Sequence, residues 1–117
     1  MKTQLLSLTV IALLAATSAQ AADAKTGEAL FNGRACVACH AIGSAGSPTA
    51  TGPNLLGVTK RRSPDWIVRW IKNPDAMRKD PEIAKLSAKF QSEMPNLGLK
   101  DEEIQSILLY LKAKDQN

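Results

Sequence analysis

The sequence has few of the side chains that build large cores or multi-ligand metal sites. Its 117 residues include five aromatic residues, two cysteines and one histidine. A closed zinc site needs about four nitrogen or sulfur ligands, and the cysteines and the histidine supply only three. Long apolar runs are also missing, because the stretch from Leu5 to Ala16 is shorter than the roughly 20 residues that cross a bilayer. The composition therefore argues against a structural zinc domain and against a membrane-spanning helix.

A strong charge of one sign is missing as well. The chain has 15 Lys and Arg against 11 Asp and Glu, which gives a formal net charge of +4. Proteins that bind nucleic acids usually carry a dense basic stripe, and this modest excess does not provide one. We therefore expect no nucleic-acid partner. The length indicates one domain.

The amino terminus has the pattern of a secretory signal peptide. Lys2 gives it a positive start, the apolar stretch follows, and Ala19-Gln20-Ala21 is an A-x-A cleavage site. We expect cleavage of residues 1–21, or one residue later, which leaves residues 22–117 as a single domain exported to a bacterial periplasm. No stable membrane insertion is expected after cleavage. The alternative is that the segment is retained as a membrane anchor.

Both cysteines and the only histidine lie in one short segment, Cys36-Val37-Ala38-Cys39-His40. In a helix their spacing of i, i+3 and i+4 places all three side chains on one face. C-x-x-C-H is the attachment signature of c-type haem, in which two thiols add to the porphyrin vinyl groups and the imidazole binds the iron. Haem of this type is attached outside the cytoplasm, so the signature agrees with the signal peptide. A large flat cofactor would also complete a core that has few aromatic residues.

Three alternatives to haem attachment exist for this segment. A thioredoxin-like C-x-x-C motif normally follows a β-strand, and no β-rich run precedes Cys36. A zinc site lacks a fourth ligand. A simple disulfide leaves the adjacent His40 unexplained. Haem attachment therefore accounts best for the three residues together.

Helix-start and helix-stop signals predict four helices in the rest of the chain. They cover residues 23–31, 63–72 and 80–90, and a last helix begins at residue 101. Residues 43–53 are small and polar without periodicity, which predicts a surface loop. The sequence contains no repeat and no convincing strand, so an all-α fold is expected.

A haem iron bound by His40 has a second axial position, and the soft donors left for it after signal cleavage are Met77 and Met94. Met94 is predicted in a loop and Met77 lies between two prolines; either is also a normal core residue. Pro53 has a fixed φ and no N–H, so its carbonyl is a candidate acceptor for the other nitrogen of His40, or else part of an ordinary turn. The basic run 60–62 predicts a solvated loop or a contact with the haem propionates.

These features make the chain resemble a class I c-type cytochrome over essentially the whole mature sequence. The stretches that carry the resemblance are Gly27-x-x-x-Phe31, Cys36-x-x-Cys39-His40, Gly52-Pro53-Asn54-Leu55-x-Gly57, Trp66, Met94-Pro95 and Ile107-x-x-Tyr110. The resemblance implies a cytochrome c fold of three to five helices around one covalently bound haem c. It also implies that the first helix crosses the last, where Gly27 and Phe31 meet Ile107 and Tyr110.

The resemblance further implies roles for single residues. Met94 matches the axial methionine, and Pro53 matches the proline whose carbonyl orients the haem histidine. Arg61 matches an arginine, and Trp66 an aromatic residue, on the side of the haem propionates, where an indole N–H can reach a propionate oxygen. The segment from Asn73 to Ser92 is longer than in minimal family members, so the resemblance does not give its course.

The expected function is electron transfer. Histidine and methionine ligation leaves the iron no open position for oxygen, peroxide or substrate. We expect an electron carrier rather than an enzyme, with a donor and an acceptor protein as transient partners. Basic residues near the haem edge would steer acidic partners; they are Lys60, Arg61, Arg62, Arg69, Lys72, Arg78 and Lys79. The alternatives are a haem-bearing subunit of a periplasmic oxidoreductase and a haem protein with an open axial position.

Overall fold

The computed structural model describes residues 21–34, 36–44, 51–90 and 92–117. Two predicted segments lie wholly or partly outside these ranges. They are the signal peptide, of which the structure describes only the last residue, and positions 45–50 of the surface loop. The described residues form no β-strand; their helices are α1 (Ala24–Gly33), α2 (Cys36–Cys39), α3 (Val58–Arg61), α4 (Pro64–Lys72), a 3-10 helix (Pro74–Met77), α5 (Pro81–Phe90) and α6 (Asp101–Asp115). The all-α prediction is confirmed. The α-helices exceed the expected three to five because α2 and α3 are single turns of four residues each.

Local sequence signals explain where several helices begin. Asp23 caps α1 and Ser63 caps α4, and each side-chain oxygen accepts a backbone N–H two or three residues into the helix. Pro64 occupies the first position of α4, where its missing N–H costs nothing. Asn73 ends α4 and caps the 3-10 helix with its side chain. α5 matches the helix predicted over residues 80–90, and the 3-10 helix gives the course of residues 74–77 before it.

Helix α1 crosses α6 at a glycine. Gly27 is buried, and a Cβ built on it would overlap the backbone carbonyl of Ser106. Glycine therefore permits a close approach of the two helices that any other residue would prevent. One turn further along α1, the ring of Phe31 packs against that of Tyr110, with the ring centroids 5.6 Å apart. The predicted crossing of the first and last helices is present.

A buried carboxylate connects the end of α6 to α3. Asp115 is 5% exposed and accepts hydrogen bonds from the N–H of Gly57 and from the N–H and hydroxyl of Thr59, the last two at 2.9 and 2.6 Å. Burial alone would raise the pKa of Asp115, but these hydrogen bonds outweigh it and lower the pKa below its usual value. The ionised carboxylate fixes the segment that carries α3.

The core is formed chiefly by α1, α4 and α6. Its buried apolar members are Phe31, Ile42, Ile67, Ile71, Ile104, Ile107, Leu108, Tyr110 and Leu111. Cys36, Trp66 and Met94 pack against this core while only partly buried. None of the described helices is both long and apolar enough to cross a membrane.

Candidate functional site

A cavity of ≈ 300 Å³ opens beside the core, whereas a single buried water needs only about 10–15 Å³. All six α-helices contribute to its largely apolar wall. Every site residue nominated from the sequence lines it: Cys36, Cys39, His40, Pro53, Arg61, Trp66 and Met94. Met77, the alternative soft donor, is not among the lining residues. The fold thus brings the C-x-x-C-H segment and the Met94 segment to one cavity.

The C-x-x-C-H segment folds as a single helical turn on the cavity wall. The N–H of His40 donates to the carbonyl of Cys36 at 2.9 Å, which continues the turn of α2 by one residue. The structure joins the two cysteines by no disulfide. Burial raises the pKa of Cys36, which keeps that thiol neutral. Within the described ranges no three or more His, Cys, Asp or Glu side chains are grouped to hold a metal.

The ring of His40 is oriented by the carbonyl oxygen of Pro53. Nδ1 lies 2.8 Å from this oxygen, and a carbonyl only accepts, so Nδ1 carries the proton in the neutral ring and Nε2 keeps a free lone pair. Burial lowers the pKa of His40 more than this hydrogen bond raises it. The imidazole is therefore held neutral, in the form that binds a metal, with its second nitrogen fixed as metalloproteins require.

Gly52 belongs to a stretch that carries the resemblance, but the sequence reasoning gave it no role of its own. A Cβ at this position would lie 2.7 Å from Cε1 and 2.9 Å from Nδ1 of His40. The N–H of Gly52 also donates to the carbonyl of Cys39 at 2.8 Å, which closes the loop onto the end of α2. The sequence signal for this role was the glycine directly before Pro53. The Pro53 carbonyl can approach the His40 ring only if the residue before the proline has no side chain.

A single amide side chain holds the two loops beside His40 together. The Asn54 side chain accepts from the N–H of Gly43 at 3.0 Å and donates to the carbonyl of the same residue at 2.8 Å. Its oxygen also accepts from the N–H of Leu56 at 3.0 Å. The residue next to Pro53 is therefore fixed on both sides, which supports the position of the Pro53 carbonyl.

Two arginines, rather than the one expected, lie on the cavity wall near α3 and α4. Arg61 donates to the carbonyls of Leu56 at 2.7 Å and Asn54 at 3.4 Å. Arg62 also lines the cavity, with its guanidinium 5.2 Å from the ring centroid of Trp66. Both residues retain N–H groups beyond these contacts, because a guanidinium has five donors. A ligand with acidic groups therefore meets the positive charge of Arg61 at this part of the wall, whereas Arg62 shares its charge with Glu82 at 2.7 Å.

The indole N–H of Trp66 is hydrogen-bonded within the protein. It donates to the carboxylate of Asp80 at 3.2 Å, and the contact of Trp66 with a haem propionate stays a prediction. This hydrogen bond lowers the pKa of Asp80 and keeps its carboxylate ionised. Trp66 also stacks on Trp70, with the ring centroids 6.3 Å apart. Its ring lines the cavity, but its polar edge binds the turn before α5.

Among the described residues, ion pairs involve three of the seven members of the basic cluster predicted to steer partners. Arg62 pairs with Glu82, Lys72 with Asp101, and Arg78 with both Asp75 and Glu93. Among the ion pairs between described residues, none involves Lys60, Arg69 or Lys79. Steering of acidic partners by this cluster stays a prediction, and its unpaired members are the stronger candidates.

The residues around the cavity fit a haem. Two thiols and one imidazole nitrogen lie within a single helical turn, a thioether is on the same cavity wall, and most of the remaining lining is apolar. Guanidinium groups line the wall where α3 meets α4. A flat apolar ring with an iron centre and two carboxylates would satisfy each of these groups.

Comparisons with known proteins agree with this fit. The sequence model of the cytochrome c family matches residues 24–114. Cytochrome c from Rhodothermus marinus is 34% identical over 80% of this chain and 77% of that chain, with a TM-score of 0.71. An engineered form of that protein bound to a carbene intermediate is 35% identical over 80% of this chain and 78% of that chain, with a TM-score of 0.68.

A cytochrome c domain from a Pseudomonas putida protein is also similar. It is 36% identical over 77% of this chain and 88% of that chain, with a TM-score of 0.64. Comparison with curated protein sequences finds no match.

Proposed function

Because the chain belongs to the cytochrome c family, whose members carry covalently attached haem c, we propose that it carries single electrons between redox proteins through an iron held by His40 and Met94. The strongest support is the orientation of His40, whose Nδ1 lies 2.8 Å from the Pro53 carbonyl and whose Nε2 is left with a free lone pair. When bound, haem c supplies an iron that exchanges one electron as it changes between the ferric and ferrous states.

Four side chains hold the cofactor in this proposal. Cys36 and Cys39 form the two thioether bonds, and His40 provides the first axial nitrogen. Met94 provides the second axial ligand; it lines the same cavity as the histidine, and Met77 does not. Two protein ligands leave the iron without an open position, which favours electron transfer over oxygen binding or catalysis.

Arg61 and Arg62 neutralise the propionates in this proposal. Both line the cavity, and neither has its full set of donors occupied by the contacts described above. Trp66 contributes ring surface rather than a hydrogen bond, since Asp80 accepts from its N–H. Charge pairing at this wall lowers the cost of placing two carboxylates beside an apolar cavity.

The proposed place of action is the bacterial periplasm, and the proposed partners are a donor and an acceptor that bind briefly. The first part rests on the signal-peptide pattern of residues 1–21. The second rests on the basic residues outside the described ion pairs, Lys60, Arg69 and Lys79, which are candidates for steering acidic partners.

Carbon monoxide binding tests the closed iron that this function requires. We expect the exported, reduced wild-type holoprotein to bind carbon monoxide slowly at neutral pH and Met94→Ala to bind it rapidly. Voltammetry of the wild type should show a reversible one-electron wave. Rapid binding by the wild type would indicate the open-site alternative. Copurification of a second polypeptide in stable association would instead favour the oxidoreductase subunit.

A further inference from the structure

The segment that carries Met94 has little backbone support. Residues 92–100 form no helix or strand. Within the described part of the chain, no backbone–backbone hydrogen bond joins residues 92–99 to another element. The N–H of Gly98 donates to the side chain of Asn96 at 3.0 Å, which is a contact inside the segment. The position of Met94 therefore depends on side chains.

Apolar side chains and one ion pair provide this support. Met94 and Leu99 pack against the core, and Leu97 lines the cavity. The polar contact to another element is the ion pair between Glu93 and Arg78, whose atoms Oε1 and NH1 are 2.7 Å apart. Glu93 directly precedes Met94 in the chain, so this pair acts on the backbone next to the thioether.

Arg78 is itself held in place by a second carboxylate. Its Nε and NH2 donate to Oδ1 of Asp75 at 3.0 and 2.6 Å. NH1 is left to pair with Glu93. Asp75 belongs to the 3-10 helix that follows α4, so the guanidinium connects this helix to the Met94 segment. Arg78 and Glu93 both line the cavity.

We propose that Arg78 is a positioning residue that holds Met94 over the cavity through Glu93. The proposal rests on the proposed ligation of the iron by His40 and Met94. Without the ion pair, the segment opens more often, and the fraction of molecules in which Met94 has left the iron rises. An added ligand that binds only the open form then binds with an apparent affinity that increases with that fraction.

The expected size of the effect follows from the exposure of the pair. The side chains of Arg78 and Glu93 are 38% and 68% exposed, and an exposed ion pair shifts an equilibrium constant by at most about fivefold. Charges at this exposure are screened by salt. Loss of the ion pair is therefore expected to raise the fraction of molecules with Met94 off the iron only slightly, and to have no effect on it at about 1 M salt.

The test is a titration of ferric holoprotein with imidazole, followed by absorption. We expect Arg78→Gln and Glu93→Gln each to lower the apparent dissociation constant about two- to fivefold at low salt. The double variant should match Arg78→Gln, because both lack the Arg78–Glu93 ion pair and the contact of Arg78 with Asp75. At about 1 M salt all four proteins should agree.

Arg34→Gln is the matched control, because Arg34 forms a similarly exposed ion pair with Glu103 and does not line the cavity. It should leave the imidazole affinity unchanged. An unchanged affinity in Arg78→Gln, or additive effects of Arg78→Gln and Glu93→Gln, would overturn the positioning role while the ligation by Met94 stands. A far-red methionine-to-ferric-iron band that is absent from the wild type, or that persists in Met94→Ala, would overturn both.

Discussion

Gly52 lies so close to His40 that a Cβ on the glycine would be 2.7 Å from Cε1 of the imidazole. The same ring donates from Nδ1 to the Pro53 carbonyl at 2.8 Å. Glycine and proline thus act together: the first leaves room for the ring, and the second fixes its rotation and tautomer. The histidine is held for metal binding by its neighbours in the fold rather than by the C-x-x-C-H segment alone.

Gly52→Ala is expected to force the His40 ring away from Pro53 and to destabilise the holoprotein by about 1–3 kcal/mol, the range for overpacking a filled site. Gly33→Ala is the control, since a Cβ there has no neighbour within 4 Å, and it should change stability by about 0.5 kcal/mol or less. Denaturant unfolding followed by haem absorption measures both. Equal stability of the two variants would show that the close approach does not constrain the ring.

Asp115→Asn is expected to reduce the unfolding free energy by about 2 kcal/mol near neutral pH, because the amide cannot replace a carboxylate that accepts three hydrogen bonds. Since the pKa of Asp115 is lowered by folding, its stabilisation is complete above the unfolded value of about 4 and is lost as the pH falls through the lower folded value. The difference in unfolding free energy between the wild type and Asp115→Asn should therefore become smaller below about pH 4.

Circular dichroism during denaturant unfolding at a series of pH values measures this narrowing. Asp101→Asn is the matched control, because Asp101 is exposed and pairs with Lys72 at the surface, where an ion pair contributes about 1 kcal/mol or less. If the difference in unfolding free energy between the wild type and Asp115→Asn stays constant down to pH 2–3, the ionised carboxylate is not the stabilising group.

Lys79→Glu is expected to slow reduction by an acidic redox protein by about twofold or more at low salt, and the difference should vanish at high salt. Lys79 is a member of the basic cluster that takes part in no ion pair among the described residues. Lys25→Glu is the control, because it changes the net charge equally but lies on α1, outside the basic cluster. Stopped-flow rates that fall equally in both variants would indicate a general charge effect rather than steering.

The sequence alone was enough to predict the all-α fold and the crossing of α1 with α6. It also predicted the residues that meet at the cavity. The crossing of α1 with α6 and the places of Arg61 and Trp66 follow from the resemblance to class I c-type cytochromes. The other predictions depend on short-range patterns: rare side chains within one helical turn at Cys36–His40, and a serine-proline-acid start for α4. Such patterns are readable because the residues that interact are neighbours along the chain.

The features that were missed depend on partners far apart in the sequence. Asp115 binds Gly57 across 58 positions, and Arg62 binds Glu82 across 20. No local pattern indicates which acid will meet which base or backbone N–H once the helices pack. The role of Gly52 belongs to the same class, since its requirement for no side chain appears only when the His40 ring is in place.

The central claim is that His40 and Met94 close the iron on both sides, and the far-red absorption band of methionine bound to ferric iron tests it most directly. We predict that the exported wild-type protein shows this band, that Met94→Ala loses it, and that Met77→Ala keeps it. A band that disappears in Met77→Ala and persists in Met94→Ala, or a wild type without the band, would contradict the account.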